Sequence, residues 1–181
     1  MRKTQITIAA LLGVAALVIT PSAYAAGGMD REWVPGSALA SYRAVAAQFA
    51  DPAAAESAGY GEIHDLAGIF CIADPAGTGA MGYHWVNGEN LFDGQLDPND
   101  PEAIVYERHP DGSFHLVALE YIVTQDAWGP TPPELFPGHP FMATGADNRF
   151  GLPAYYSQHV WVGKGNPSGN LAMWNPAVHC R

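Results

Sequence analysis

The sequence predicts an α+β domain in which N-terminal helices pack on a mainly antiparallel β-sheet, or on a partly open small barrel, with one disulfide. Three observations lead there. Apolar positions recur at helical spacing between residues 37 and 59, apolar stretches with period two follow from residue 80 onward, and the chain carries two cysteines, Cys71 and Cys180. Segregation of helices from strands, with short connections between the first three strands, favours antiparallel pairing over βαβ crossovers.

The first element is a targeting signal. Arg2 and Lys3 precede an apolar run from Ile6 to Ile19, and Pro21 with Ala23-Tyr24-Ala25 completes the pattern of a Sec-type signal peptide cut after Ala25. The run is shorter than the roughly 20 apolar residues of a membrane helix, and no later stretch approaches that length. The expected organisation is a signal at 1–25, a flexible lead at 26–36 and a single domain at 37–181, in a secreted or periplasmic protein without a membrane span after cleavage. An oxidising compartment and an even thiol count predict a Cys71–Cys180 disulfide. Closing a loop of that length restricts the unfolded chain by about 4–5 kcal/mol in the chain-entropy view.

In the domain itself, Ser37 is a good N-cap for a first helix whose apolar positions are Leu39, Tyr42, Val45, Ala46 and Phe49. Asp51 caps a second, with Pro52 at its first position, an Ala-rich body to Ala58 and Gly59 as its stop. Strands are expected over Ala80 to Asn87, Glu102 to Glu107, Phe114 to Val123 and Tyr155 to Val162. Two long connections separate them. Asn87 to Pro101 holds Asp93, Asp97 and Asp100, with Glu102 just beyond; this acidic density reads as a solvated turn, or as oxygen ligands for calcium without EF-hand spacing. Asp126 to Pro153 contains Pro130, Pro132, Pro133, Pro137 and Pro140, and reads either as a lid or as a proline-stiffened surface segment.

Charge excludes some partners. Eight basic side chains against eighteen acidic ones give a formal net charge of −10, and losing Arg2 and Lys3 with the signal makes it more negative. Arg31, Arg43, Arg108, Arg149, Lys164 and Arg181 are scattered along the chain, so neither nucleic acid nor an anionic membrane surface is an expected partner. A 48% apolar composition supports one ordinary core.

The chemistry lies on the strands. Alternation in Phe114-His115-Leu116-Val117-Ala118-Leu119-Glu120-Tyr121-Ile122-Val123 places Glu120 in a row with Phe114, Leu116, Ala118 and Ile122, a carboxylate interrupting an apolar face. A buried Glu requires a partner. His84 and His159 sit on two other strands rich in bulky residues, so His84, Glu120 and His159 can converge as two imidazoles and one carboxylate. That set suits one divalent metal ion such as iron, zinc or copper, with coordination positions left open, and His139 in the proline-rich loop can close it. Two other readings stand beside it. One is a hydrogen-bonded Glu-His network with a purely structural role; the other is a metal-free acid-base site with Glu120 or His159 as catalytic base and Tyr83 or Tyr121 as proton donor.

Other chemistries lack support. Gly163 to Gly169 has no Walker spacing, Ser157 and Ser168 lack a nucleophile elbow, and a disulfide leaves no free thiol. Functionally, the chain is thus expected to be either a small metal-dependent protein able to act as an enzyme on a small molecule, or a non-enzymatic envelope or secreted binding module whose aromatic pocket is lined by residues such as Trp85, Tyr106, Tyr121, Tyr155, Tyr156 and Trp161.

The segments Gly79-Ala80-Met81-Gly82-Tyr83-His84-Trp85-Val86-Asn87, Pro101-Glu102-Ala103-Ile104-Val105-Tyr106, Val117-Ala118-Leu119-Glu120-Tyr121, His159-Val160-Trp161-Val162, Asn166-Pro167-Ser168-Gly169 and Trp174-Asn175-Pro176 through Cys180, in that order, resemble a family of small exported bacterial proteins of unknown function. The resemblance covers about Tyr42 to Cys180. It implies export, the cysteine pair and attention to His84, Glu120 and His159. Trp85 stands where the pattern has Tyr, and Gly163-Lys164-Gly165 replaces a more aromatic stretch.

Mass spectrometry of the secreted protein without reductant is expected to find an N-terminus at or near Ala26 and a linked Cys71–Cys180 peptide. Two freely alkylated thiols would refute the disulfide.

Overall fold

A computed structural model describes residues 32–180, so the expected signal at 1–25 lies outside the described residues. Helices α1 (Ala40–Gln48) and α2 (Pro52–Ser57) are followed by strands β1 (Gly61–Glu62), β2 (Cys71–Ala73) and β3 (Ala80–Val86), helix α3 (Gly88–Phe92), strands β4 (Ala103–Arg108) and β5 (Phe114–Thr124), helix α4 (Gln125–Trp128), and strands β6 (Glu134–Phe136), β7 (His139–Pro140), β8 (Met142–Thr144) and β9 (Tyr155–Val160). Seven strands form one antiparallel sheet ordered β1-β3-β4-β5-β9-β8, with β2 also paired to β3; β6 and β7 make a separate ribbon. The sheet is not closed, so the barrel alternative gives way to an open antiparallel sheet with a few short helices.

The two N-terminal helices follow their sequence cues unequally. Asp51 accepts a hydrogen bond from Ala53 N at 3.0 Å and Pro52 opens α2. Gly59 follows at φ 89°, and Gly59 N and Tyr60 N bond back to the Glu56 and Ala55 carbonyls, closing the helix in a Schellman arrangement. Ser37 does not cap α1. The chain first passes through tight turns in which Leu39 N reaches Gly36 O and Ala40 N reaches Ser37 O, and the helix begins only at Ala40, without a side-chain cap. The lead is also anchored where it is described, because Val34 N donates to Asn170 Oδ1 and Asn170 Nδ2 donates to Val34 O.

One sheet face carries the main core. Tyr83, Trp85, Ile104, Tyr106, Leu119, Tyr121, Val123, Tyr156 and Val160 pack there beneath α1, whose Tyr42 meets Tyr121 edge-on at 5.8 Å and Phe136 at 5.0 Å. Each fully buried side chain of this size contributes about 1.5–3 kcal/mol. Two of the tyrosine hydroxyls are satisfied, Tyr106 Oη donating to Phe49 O at 2.7 Å and Tyr121 Oη to Pro98 O at 2.8 Å, whereas the buried Trp85 Nε1 has no hydrogen-bond partner. A bulge in β5 corrects the expected row of side chains. Val105 pairs with Ala118 but Tyr106 pairs with Leu116, so Val117 is the extra residue. Phe114 and Leu116 therefore turn to the core face, where Phe114 lies 5.4 Å from Tyr83 and 5.6 Å from Trp85, while Ala118, Glu120 and Ile122 occupy the opposite face.

Cys71 and Cys180 are bonded with Cα atoms 5.5 Å apart, and Asn175 exchanges backbone hydrogen bonds with Ala80 just before, so the C-terminal segment is tied to the β2–β3 edge. Neither long connection is structureless. The acidic one begins with α3, capped by Asn87, and its aspartates serve local turns: Asp93 accepts from Gln95 N, Asp97 from Asn99 N, and Asp100 from Asn90 Nδ2. The proline-rich one supplies β6, β7 and the edge strand β8, and buries Phe136 and Phe141 in the core.

Glu102, 1% exposed, ends the β4–β5 ladder. The next position back, Pro101, has no N–H to give, and the Glu102 carboxyl accepts from Ile122 N at 2.7 Å. Burial pushes its pKa up to about 8, with the Ile122 bond opposing and the Asp93 and Glu120 charges assisting. A raised acid lets the folded state hold a proton that the unfolded chain has released, so stability falls as pH rises from about 4.5 to 8, by an amount on the order of a few kcal/mol. Glu102→Gln, which keeps an acceptor oxygen, is expected to flatten that decline and to raise the Tm at pH 8–9 in thermal melts. Parallel pH profiles for the two proteins would contradict this assignment.

Candidate metal centre

The site is assembled by strand register. Glu120 on β5 lies directly opposite His159 on β9 and Ala103 on β4, while His84 on β3 lies opposite Val105 on β4. One strand thus separates His84 from Glu120. At that point β4 presents Ala103, fully buried and too small to stand between them, so the imidazole and the carboxylate meet above it. Gly82, two residues ahead of His84, sits at φ 118°, and a Cβ there would press on the Tyr106 carbonyl at 2.5 Å; a glycine lets β3 approach β4 so closely.

His84 Nε2 lies 3.4 Å from Glu120 Oε2, and His159 Nδ1 lies 3.8 Å from Glu120 Oε1. One donor atom from each of the three residues falls within 4.8 Å of the others, and among the described residues no other group of three His, Cys, Asp or Glu does so. All three side chains are buried. Burial drives the pKa of each imidazole down to about 4, for His84 against the attraction of Glu120, so both are neutral at pH 7 with a lone pair to offer. The Glu120 carboxyl is pushed up by burial, with His84 and the Ser157 hydroxyl working in the other direction. The outer nitrogens, His84 Nδ1 and His159 Nε2, have no hydrogen-bond partner.

A cavity of about 220 Å³ opens on this group and is lined by His84, Glu120, His64, Tyr155 and six apolar side chains. Phe150 lies 6.2 Å from the His84 ring. The cover is a turn organised by Asn148, whose Oδ1 accepts from Phe150 N and Leu152 N and whose Nδ2 donates to Leu152 O. Arg149 ties the turn down: its Nη2 is 2.6 Å from Asp65 Oδ2, and its carbonyl accepts from Leu66 N. Hydrogen bonds from Ile69 N, Arg149 and Ala67 N hold Asp65 below the usual carboxylate range.

The remaining expected residues divide. His139 on β7 lines a separate cavity of about 320 Å³ with His159 and Glu32, and does not belong to the group of three. Tyr83 and Tyr121, the proposed proton donors, point to the core face; strand alternation turns each away from its neighbour, His84 or Glu120. The tyrosine facing the site is Tyr155. Its hydroxyl is pushed up to about 12 by burial and by the Glu120 charge, which keeps it a neutral donor. His64, Arg149, Phe150 and Leu152 were not foreseen as site residues. They lie in loops without periodicity; the unusual length of the segment from 126 to 153 is a sequence signal for Arg149, Phe150 and Leu152, and His64 lies outside it.

Comparison with protein families, with curated proteins and with solved structures finds no match to the chain.

Because the two imidazole pKa values are lowered, their contribution to stability is complete above about pH 6.5 and is lost as pH falls toward 4. In metal-free protein, imidazole ¹⁵N shifts are expected to show His84 and His159 neutral at pH 5.5. A protonated ring at either position at that pH would overturn the burial argument.

Proposed function

We propose that the protein is an exported metal-dependent protein in which His84, Glu120 and His159 hold one divalent transition metal, and that it acts as an enzyme on a small molecule. The observation that carries this reading is the spacing of the three buried donors. Separations of 3.4 and 3.8 Å exceed the 2.7–3.2 Å typical of N–H···O hydrogen bonds, and lie near the roughly 3.3 Å between tetrahedral ligands at about 2.0–2.1 Å from a shared ion. Two neutral imidazoles and one carboxylate form a donor set for zinc, iron or copper. Calcium, which prefers oxygen donors alone, suits it poorly. Three protein ligands leave coordination open, and His84 and Glu120 border the cavity where a substrate would reach the ion.

Export is part of the proposal. It rests on the N-terminal signal pattern and the likeness to small exported bacterial proteins, and the Cys71–Cys180 bond supports it because such bonds persist in oxidising compartments. Among the described residues no helix is long and apolar enough to cross a membrane. A second reading, binding without chemistry, draws support from the mainly apolar cavity.

Elemental analysis of protein purified without a His tag is expected to find about one metal per chain. Glu120→Gln should weaken zinc or cobalt binding by about 100-fold or more with little change in fold, and His159→Ala should abolish it. Affinity should rise with pH as the Glu120 carboxyl gives up its proton. Unchanged stoichiometry in both variants would remove this site from consideration.

A further inference from the structure

The walls of the 220 Å³ cavity specify more than its presence. Ile63, Val86, Leu91, Ile122, Phe150 and Leu152 supply most of the lining, and its polar residues are His84, Glu120, His64 and Tyr155. His64 Nδ1 already engages the Asp65 carbonyl at 2.8 Å. The nearest cation, Arg149, is committed to Asp65 at 2.6 Å. A charged amino acid or a sugar placed here would surrender its hydration without recovering matching hydrogen bonds, which is costly in a site closed by apolar side chains. Size sets the other bound. An apolar cavity of about 150 Å³ accommodates benzene, so 220 Å³ admits one six-membered ring with one or two small substituents and is tight for two fused rings.

We propose that this cavity binds a neutral, single-ring molecule bearing an oxygen substituent, of the phenol class, with its ring between Phe150, Leu152 and Ile122 and its oxygen directed at the metal held by His84, Glu120 and His159. Tyr155 also lines the cavity, its hydroxyl hydrogen-bonded to the Thr144 side chain. The inference rests on the metal reading for the oxygen's destination, whereas the ring's fit depends on the cavity alone.

The test uses cobalt-loaded full-length mature protein titrated with phenol, glucose and 2-naphthol, read by the cobalt d–d spectrum and by thermal shift. Phenol is expected to saturate and to perturb the spectrum, with glucose at least 10-fold weaker and 2-naphthol weaker than phenol. Leu152→Trp, which fills the cavity without touching a ligand, should weaken phenol at least 10-fold at unchanged cobalt content; Phe150→Ala, which enlarges it, should admit 2-naphthol. Cobalt bound at one per chain with phenol no better than glucose would overturn this inference and leave the metal reading standing. Phenol binding that Leu152→Trp abolishes in a protein holding no metal would sustain the ring pocket and overturn the metal reading. Absence of both cobalt and phenol binding would overturn the two together.

Discussion

A buried carboxylate must be neutralised, and among the described residues Asp65 meets that demand with Arg149 while three glutamates meet it in different surroundings. Burial alone would push Glu107 up, but Lys164 Nζ at 2.5 Å and the backbone N–H of His179 hold it below the ordinary value, so it stays charged beside a cation. Glu102 takes the opposite course, keeping a proton to about pH 8 while its carboxyl accepts the Ile122 N–H. Glu120 has no cation beside it, and burial pushes its carboxyl up as it does that of Glu102. Its neighbours are two neutral imidazoles at 3.4 and 3.8 Å and the Ser157 hydroxyl, none of which carries positive charge. On the proposed metal reading, a divalent ion would supply at Glu120 the positive charge that Glu107 obtains from Lys164.

The site depends on register as strictly as on residue identity. A slip of one residue between β5 and β9 would carry His159 to the core face, where Val160 now packs. The Val117 bulge performs a related task. It turns Phe114 and Leu116 toward Trp85 and Tyr106, and so leaves the other face at that level to Ala118 and, farther along, Glu120. Gly163 N and Lys164 N both bond to the Val117 carbonyl, so the chain leaving β9 secures the bulge from outside. Lys164 is thereby brought to Glu107, and the charge pair and the bulge support each other.

Much of this was legible in the sequence, for identifiable reasons. Short apolar runs bounded by Gly, Pro, Asn and Asp marked β3, β4, β5 and β9 to within a residue or two, and the structure buries these strands on both faces. The pairing of Cys71 with Cys180 followed from thiol count and compartment, and His84, Glu120 and His159 followed from polar residues interrupting apolar strands. What was hidden depends on partners distant in sequence. A bulge leaves no local mark when both residues around it are apolar, as Val117 and Ala118 are. The strands β6, β7 and β8 are two or three residues long and punctuated by Pro137 and Pro140, below the length at which alternation can be recognised. Ser37 carried a cap signal that tertiary packing of Val34 and Leu39 overrode, since both are buried against the domain and the chain must turn before the helix can start.

The cover over the site has a different energetic character from the sheet beneath it. Its inner contacts are the side chains of Phe150 and Leu152, and its tether to the 64–69 loop comprises the Arg149–Asp65 pair and one backbone bond from Leu66 to Arg149. The Arg149 side chain remains about a third exposed while Asp65 is buried, so the pair joins a surface turn to the interior of the 64–69 loop. This tether is separate from the ladders of β3, β4, β5 and β9 that position the three donors. Asn148 keeps the turn folded through its bonds to Gly145, Phe150 and Leu152. The strands thus set the donor geometry, and the cover above it owes its shape to Asn148 and its place to Arg149, Phe150 and Leu152.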